Sequence, residues 1–127
     1  MARCTQTGTT LNLLPPVMNL CLYEGKPDIL VVTREDSDNP EVPLPLAGWS
    51  NPTAMFRTRR GGTDFIDLAP VLNGNQVDIT ITAAMKAAFV AFGTRTGVWE
   101  VDITDDASNL VTLVHGTIDI LPEVVTV

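Results

Sequence analysis

A two-residue alternation dominates the C-terminal half of the chain. Val77, Ile79 and Ile81 point one way, and Asp78, Thr80 and Thr82 the other. That is the pattern of a strand with one buried and one wet face. Trp99, Val101 and Ile103 repeat it against Glu100, Asp102 and Thr104. Asp105 to Asn109 reads as a hairpin turn. A long strand from Leu110 to Leu121 follows, interrupted by Gly116, with Ile118 and Ile120 inward around an outward Asp119. Shorter strands are expected at Val17–Tyr23, Ile29–Thr33, Thr53–Arg59 and Phe65–Leu68. In the third of these, Ala54 and Phe56 share one face, and Met55, Arg57 and Arg59 the other. Val42, Leu44 and Leu46 alternate with prolines, which predicts an extended edge segment because proline cannot donate into a central ladder.

Ala83 to Phe92 breaks this rhythm. The stretch is alanine-rich, Thr82 is placed to cap it, and Ala84, Ala88 and Phe92 fall at i, i+4 spacing. A helix this short is not stable alone, so it must lie on the strands as a crossover. Turns are expected at Glu24-Gly25-Lys26-Pro27, the acidic loop Glu35–Pro40, Arg60-Gly61-Gly62 and Asn73-Gly74-Asn75. Seven or eight short strands, one short crossover helix and Gly/Pro-rich turns define a Greek-key β-sandwich rather than βαβ repeats. The sandwich should span residues 17–121. Residues 1–16 form an arm that is either frayed or ordered against a neighbouring subunit, where Leu11, Leu13 and Leu14 would find a home. Residues 122–127 are a last extended piece, and an apolar end such as Val124, Val125 and Val127 usually finds a partner strand or surface.

The chain has 127 residues, 45% of them hydrophobic and 18% charged, so disorder is excluded and one domain is expected. The net charge is −7, which opposes a nucleic-acid partner apart from a local exception at Arg57, Arg59 and Arg60. No apolar run approaches the roughly 20 residues of a membrane helix. The start is polar and unlike a signal peptide, and Met1 fits an intact cytosolic product. Cys4 and Cys21 have no CxxC or Cys/His context for zinc, and free thiols are expected of them, with Cys21 in a buried strand.

Candidate chemistry is sparse. Asp64 with Asp67, and Asp102 with Asp105, are the nearest carboxylate pairs, but a solvated strand face and turn formation are the favoured explanation of them. His115 is the only histidine, so any acid/base relay must use it, with Ser50 or Ser108 as the serine. The acidic loop Glu35–Asn39 offers oxygen ligands for calcium but lacks the spacing and glycine of an EF-hand. No cofactor or metal site is assigned. Arg57, Arg59 and Arg60 form a positive strand and turn that the acidic loop of another copy could meet. Trp99 reads as core, and Trp49 as core edge or an interface anchor.

A longer pattern runs from about residue 17 to 126. It comprises Tyr23-Glu24-Gly25-Lys26-Pro27, Leu46-Ala47-Gly48-Trp49, Phe56-Arg57, Asn73-Gly74, Val77 to Phe89, Trp99 to Thr104 and Leu113 to Ile118. It resembles the immunoglobulin-like structural domains of tailed-bacteriophage virion proteins. Pro45-Leu46-Ala47-Gly48 lacks two polar positions of that pattern, and Lys86 stands where it has threonine. The resemblance implies an all-β immunoglobulin-like sandwich and no catalytic residues. It also implies a tail or baseplate role in the virion, with synthesis in the host cytoplasm, and capsid decoration as the alternative. The partners would be other phage structural proteins and copies of the chain itself. A carbohydrate- or receptor-binding module is a rival that needs exposed aromatics such as Trp49 beside Tyr23.

Overall fold

Alternating inward residues become the core of two facing sheets. The computed structural model describes residues 8–9, 17–36 and 39–122, with side chains described for 17–34 and 44–122. In chain order the elements are β1 (Gly8–Thr9), β2 (Val17–Met18), β3 (Leu20–Tyr23), β4 (Asp28–Asp36), β5 (Asn39–Leu44), β6 (Ser50–Arg57), β7 (Phe65–Asp67), β8 (Val71–Asn73), β9 (Gln76–Ile81), α1 (Ala83–Val90), β10 (Thr96–Thr104) and β11 (Leu110–Leu121). One sheet runs β1-β2-β11-β10-β6-β7, with β3 also pairing β11, and the other runs β5-β4-β9-β8. The neighbours are antiparallel, except that β2 and β3 run parallel to β11. The chain is an all-β domain of two packed sheets with one short helix among the described residues, a β-sandwich.

The core draws on both inner faces. Ala54, Phe56, Trp99, Val101, Ile103, Ile118 and Ile120 come from the first sheet, and Val32, Val77, Ile79 and Ile81 from the second. Each fully buried large apolar side chain contributes about 1.5–3 kcal/mol relative to exposure. Two glycines of the first sheet are fixed by close approach. A Cβ on Gly116 would stand 2.0 Å from the Met18 carbonyl oxygen, and one on Gly97 would stand 2.2 Å from that of Arg57. Gly116 therefore lets β2 close against β11, and the Trp99 indole N–H then donates to the same Met18 carbonyl at 2.7 Å.

Several elements differ from the sequence expectation. The first strand is split at Asn19, whose side-chain oxygen accepts the Thr117 N–H at 3.0 Å. β4 continues through Glu35 and Asp36 because it pairs with β5, so the expected acidic loop begins later. Cys21 is half-buried and disulfide-bonded, which corrects the free-thiol expectation. It alternates with the buried Leu20 and Leu22, so it faces away from the core, where a thiol is open to reaction. Cys4 lies outside the described residues.

The helix forms where expected and is capped as expected. Thr82 Oγ1 accepts the Met85 N–H at 3.1 Å. Its buried face is different, however. Ala84, Ala88 and Phe92 are exposed, whereas Lys86 and Phe89 are buried. Phe89 meets Phe56 edge-on at 5.9 Å. Lys86 is 0% exposed, and its ammonium donates to Tyr23 O at 2.8 Å, to Lys26 O and to the Asp28 carboxylate.

Two stability predictions follow from this packing. Gly116→Ala should lower the unfolding free energy by about 2 kcal/mol, the scale of overpacking against backbone, read as a lower urea midpoint at unchanged slope. Lys86→Ala should lose about 3 kcal/mol or more, since it removes a fully buried stem, leaving a cavity, and takes the shared donor from the Tyr23 and Lys26 carbonyls. Asp28→Asn should also lose on the order of 3 kcal/mol in the same urea series, because it leaves the 0%-exposed Lys86 ammonium without its counter-charge.

Candidate functional site

The polar side chains gather on the outer face of the first sheet. On β10, Glu100 and Asp102 sit two residues apart and so share that face. His115 of β11 lies directly across from Glu100 on one side, and Met55 of β6 on the other. A β-bulge inserts Leu113 into β11, so Asp102 faces Thr112 and accepts its hydroxyl at 2.7 Å. Arg57 ends β6, and its guanidinium donates to Gly62 O at 2.8 Å and lies 5.6 Å from the Phe65 ring centroid. That bond holds the turn carrying the exposed Arg59 and Arg60.

These residues border a shallow pocket of about 290 Å³ lined by Arg57, Arg60, Glu100, Thr112 and His115. A second depression of about 520 Å³ shares Arg60 and Val98 with it and adds Arg59, Thr96 and Asp119. Together they form one groove across the sheet. The Glu100 carboxyl is raised above its ordinary value of 4.5. Its hydrogen bond with Asp102 is the main cause, followed by desolvation and the Asp102 charge, while Arg57 and Arg60 pull in the opposite direction. Glu100 therefore holds its proton more readily than an isolated glutamate would.

The catalytic arrangements considered from sequence are not assembled. Ser50 pairs with Thr104, four residues along β10 from Glu100 and so about 13 Å away. Ser108 lies in the turn beyond. Asp67 accepts the Ala69 N–H at 2.8 Å, and Asp105 accepts those of Ala107 and Asn109 at 2.9 and 2.8 Å. Both are turn formers, and Asp64 is exposed with its carbonyl accepting the Thr58 N–H. The carboxylates that do meet are Glu100 and Asp102, and their sequence signal was i, i+2 spacing on a strand's wet face. Among the described residues no group of three His, Cys, Asp or Glu side chains could hold a metal ion. Ser37 and Asp38 of the calcium candidate loop lie outside the described residues.

The interface candidates fall into three sets. Trp49 is half-buried, packs on the core, and carries the Arg34 guanidinium 4.2 Å from its ring centroid. Arg34 and Asp28 lie at opposite ends of β4, about 20 Å apart, and Tyr23 is tied to the Asp28 end through Lys86. Trp49 and Tyr23 therefore form no shared platform for a sugar. Arg57, Arg59 and Arg60 border the groove. Leu11, Leu13, Leu14, Val124, Val125 and Val127 lie outside the described residues.

Sequence reasoning missed a further surface, on the outer face of the second sheet. Ile29 and Val31 of β4 are 74% and 55% exposed, and Val71 of β8 is 61% exposed. Val31 and Val71 flank Asp78 in register. Its carboxylate is held by Asn73 at 2.8 Å and Gln76 at 2.6 Å. The signal was the unbroken apolar run from Ile29 to Val32, which places apolar residues on both faces of the strand.

No protein-family model matches the chain, and no curated protein is significantly similar to it.

The raised Glu100 carboxyl sets a pH dependence. The folded state binds the proton more tightly than the unfolded chain, so stability falls as pH rises from about 4.5 through the raised value, then stays flat. Glu100→Gln should remove this slope and raise stability at neutral pH. Urea unfolding of both proteins across pH 4 to 8 should give converging midpoints at the acid end.

Proposed function

We propose that this chain is a non-catalytic structural protein of a bacteriophage virion, a tail or baseplate component. Its domain is an immunoglobulin-like Greek-key sandwich that assembles through its outer faces and terminal segments. The strand order supports the fold reading. In immunoglobulin-like sandwiches the third, sixth and seventh strands share one sheet, and the second, fourth and fifth the other. With β3 counted first and β1, β2, β5 and β7 as additions, β6, β10 and β11 fall in one sheet and β4, β8 and β9 in the other, whereas β3 departs from the constant-type pattern by pairing with β11 instead of joining β4.

The observation that carries the assembly role is the exposed row Ile29, Val31 and Val71. Three β-branched apolar side chains on one sheet face are surface that a partner normally covers. The resemblance to virion domains supplies the kind of assembly in which that partner is found. A rigid sandwich with its polar chemistry tied into turns and cross-strand bonds suits repeated packing more than turnover.

The test is the particle itself. Purified virions of the encoding phage should contain the chain by mass spectrometry, and a map should place it in the tail or baseplate. Density on the head shell would favour capsid decoration, and absence from particles would reject both. Ile29→Asp with Val71→Asp should leave the isolated domain folded, because both side chains are exposed, yet lower incorporation into particles about tenfold or more.

A further inference from the structure

We propose that the groove on the outer face of the first sheet is the docking site for the acidic β4–β5 hairpin of a second copy of this chain, making a head-to-tail contact. This rests on the assembly reading above and names one partner within it.

The argument begins with where the positive charge sits. The chain holds eight Lys and Arg against fifteen Asp and Glu. Lys86 and Arg95 are spent on ion pairs with Asp28 and Glu24, and Arg34 on Trp49 and the Pro45 carbonyl. Arg57, Arg59 and Arg60 all border the groove, and none has an ion pair among the described residues. Against them the groove sets Glu100 and Asp119, with His115 alongside. On a chain of net charge −7 this is a local surplus of cations.

The complementary feature lies on the other sheet. Glu35 and Asp36 end β4 and Glu41 lies in β5, with Asp36 paired to Asn39. This hairpin lies at the edge of the second sheet, whereas the groove opens on the outer face of the first. Face-to-face sheets are about 10 Å apart, so the hairpin of one molecule cannot enter its own groove. A contact between different patches on identical chains is heterologous, and it builds rings or filaments rather than closed dimers. Arginine suits the role, because its fork binds carboxylate with two parallel hydrogen bonds.

A charge swap tests the contact. Sedimentation velocity would compare the full-length wild type, Arg59→Glu with Arg60→Glu, Glu35→Arg with Asp36→Arg, and an equal mixture of the two double variants. Wild type should associate as concentration rises towards about 1 mM, the range of weak specific contacts. Each double variant alone should bind at least about tenfold more weakly. The mixture should recover association, since each hairpin then meets a groove of opposite sign. Urea midpoints near wild type would show that the substitutions leave the fold intact. A wild type that stays monomeric, a reversed variant that associates as wild type does, or a mixture that fails to recover would each overturn the contact. Presence of the chain in virions is read separately, so a monomeric chain found in particles would reject this contact and leave the virion role standing.

Discussion

The sandwich is closed at one end by a buried ammonium. Lys86 projects from α1 and gives its hydrogen bonds to Tyr23 O, Lys26 O and the Asp28 carboxylate. Tyr23 ends β3 in the first sheet, Asp28 opens β4 in the second, and α1 links β9 of the second sheet to β10 of the first. Three elements from both layers therefore meet at one nitrogen. Burying a charge costs several kcal/mol unless every donor is matched. The match here is complete, and among the described residues no buried side-chain nitrogen or oxygen lacks a partner. Because the cost is recovered only when turn, strand and helix are all in place, the interaction selects this closure over looser packings. A methionine could fill the space, but it would leave the two turn carbonyls and the carboxylate without their shared donor.

Much of the fold was legible because it is written in side-chain period. β10 and β11 have the bounds that alternation and the intervening turn imply, and β9 departs from them by a residue or so. The helix was legible from alanine content and the Thr82 cap. Its orientation was not. Ala84, Ala88 and Phe92 offer an apolar stripe on paper, but the helix turns Lys86 and Phe89 inward instead. Hydrophobicity alone cannot anticipate a lysine whose stem packs and whose head finds three acceptors brought together by tertiary structure. Likewise, β4 runs on through Glu35 and Asp36 because cross-strand pairing with β5 supplies their backbone bonds, overriding the preference of acidic residues for loops.

The candidate site was half legible for a related reason. The arginines and His115 were visible as residue types, but which carboxylates meet depends on strand pairing. Glu100 and Asp102 become a pair because both project from one face of β10, and the bulge at Leu113 then brings Thr112 to Asp102. Asp64, Asp67 and Asp105, which lie in or beside turns, satisfy local backbone instead. Sequence proximity favours local bonds, and sheet register creates the long-range ones.

On the proposed assembly role, the two outer faces would divide the labour of contact. The second sheet offers Ile29, Val31 and Val71, whose burial would contribute affinity through area removed from water. The first sheet offers arginines beside Glu100 and Asp102, whose contribution would be orientation and partner choice more than affinity. A face of only apolar residues would stack without register, and a face of only charges would bind weakly in salt. Asp78 shows the same logic within the apolar face. It sits between Val31 and Val71 with both oxygens already bonded by Asn73 and Gln76, so it marks a position in the row at little desolvation cost. A partner that covers this row must bring its apolar groups to either side of a fixed carboxylate. That requirement restricts how a neighbour can sit, and a repeating assembly needs such a restriction from each of its subunits.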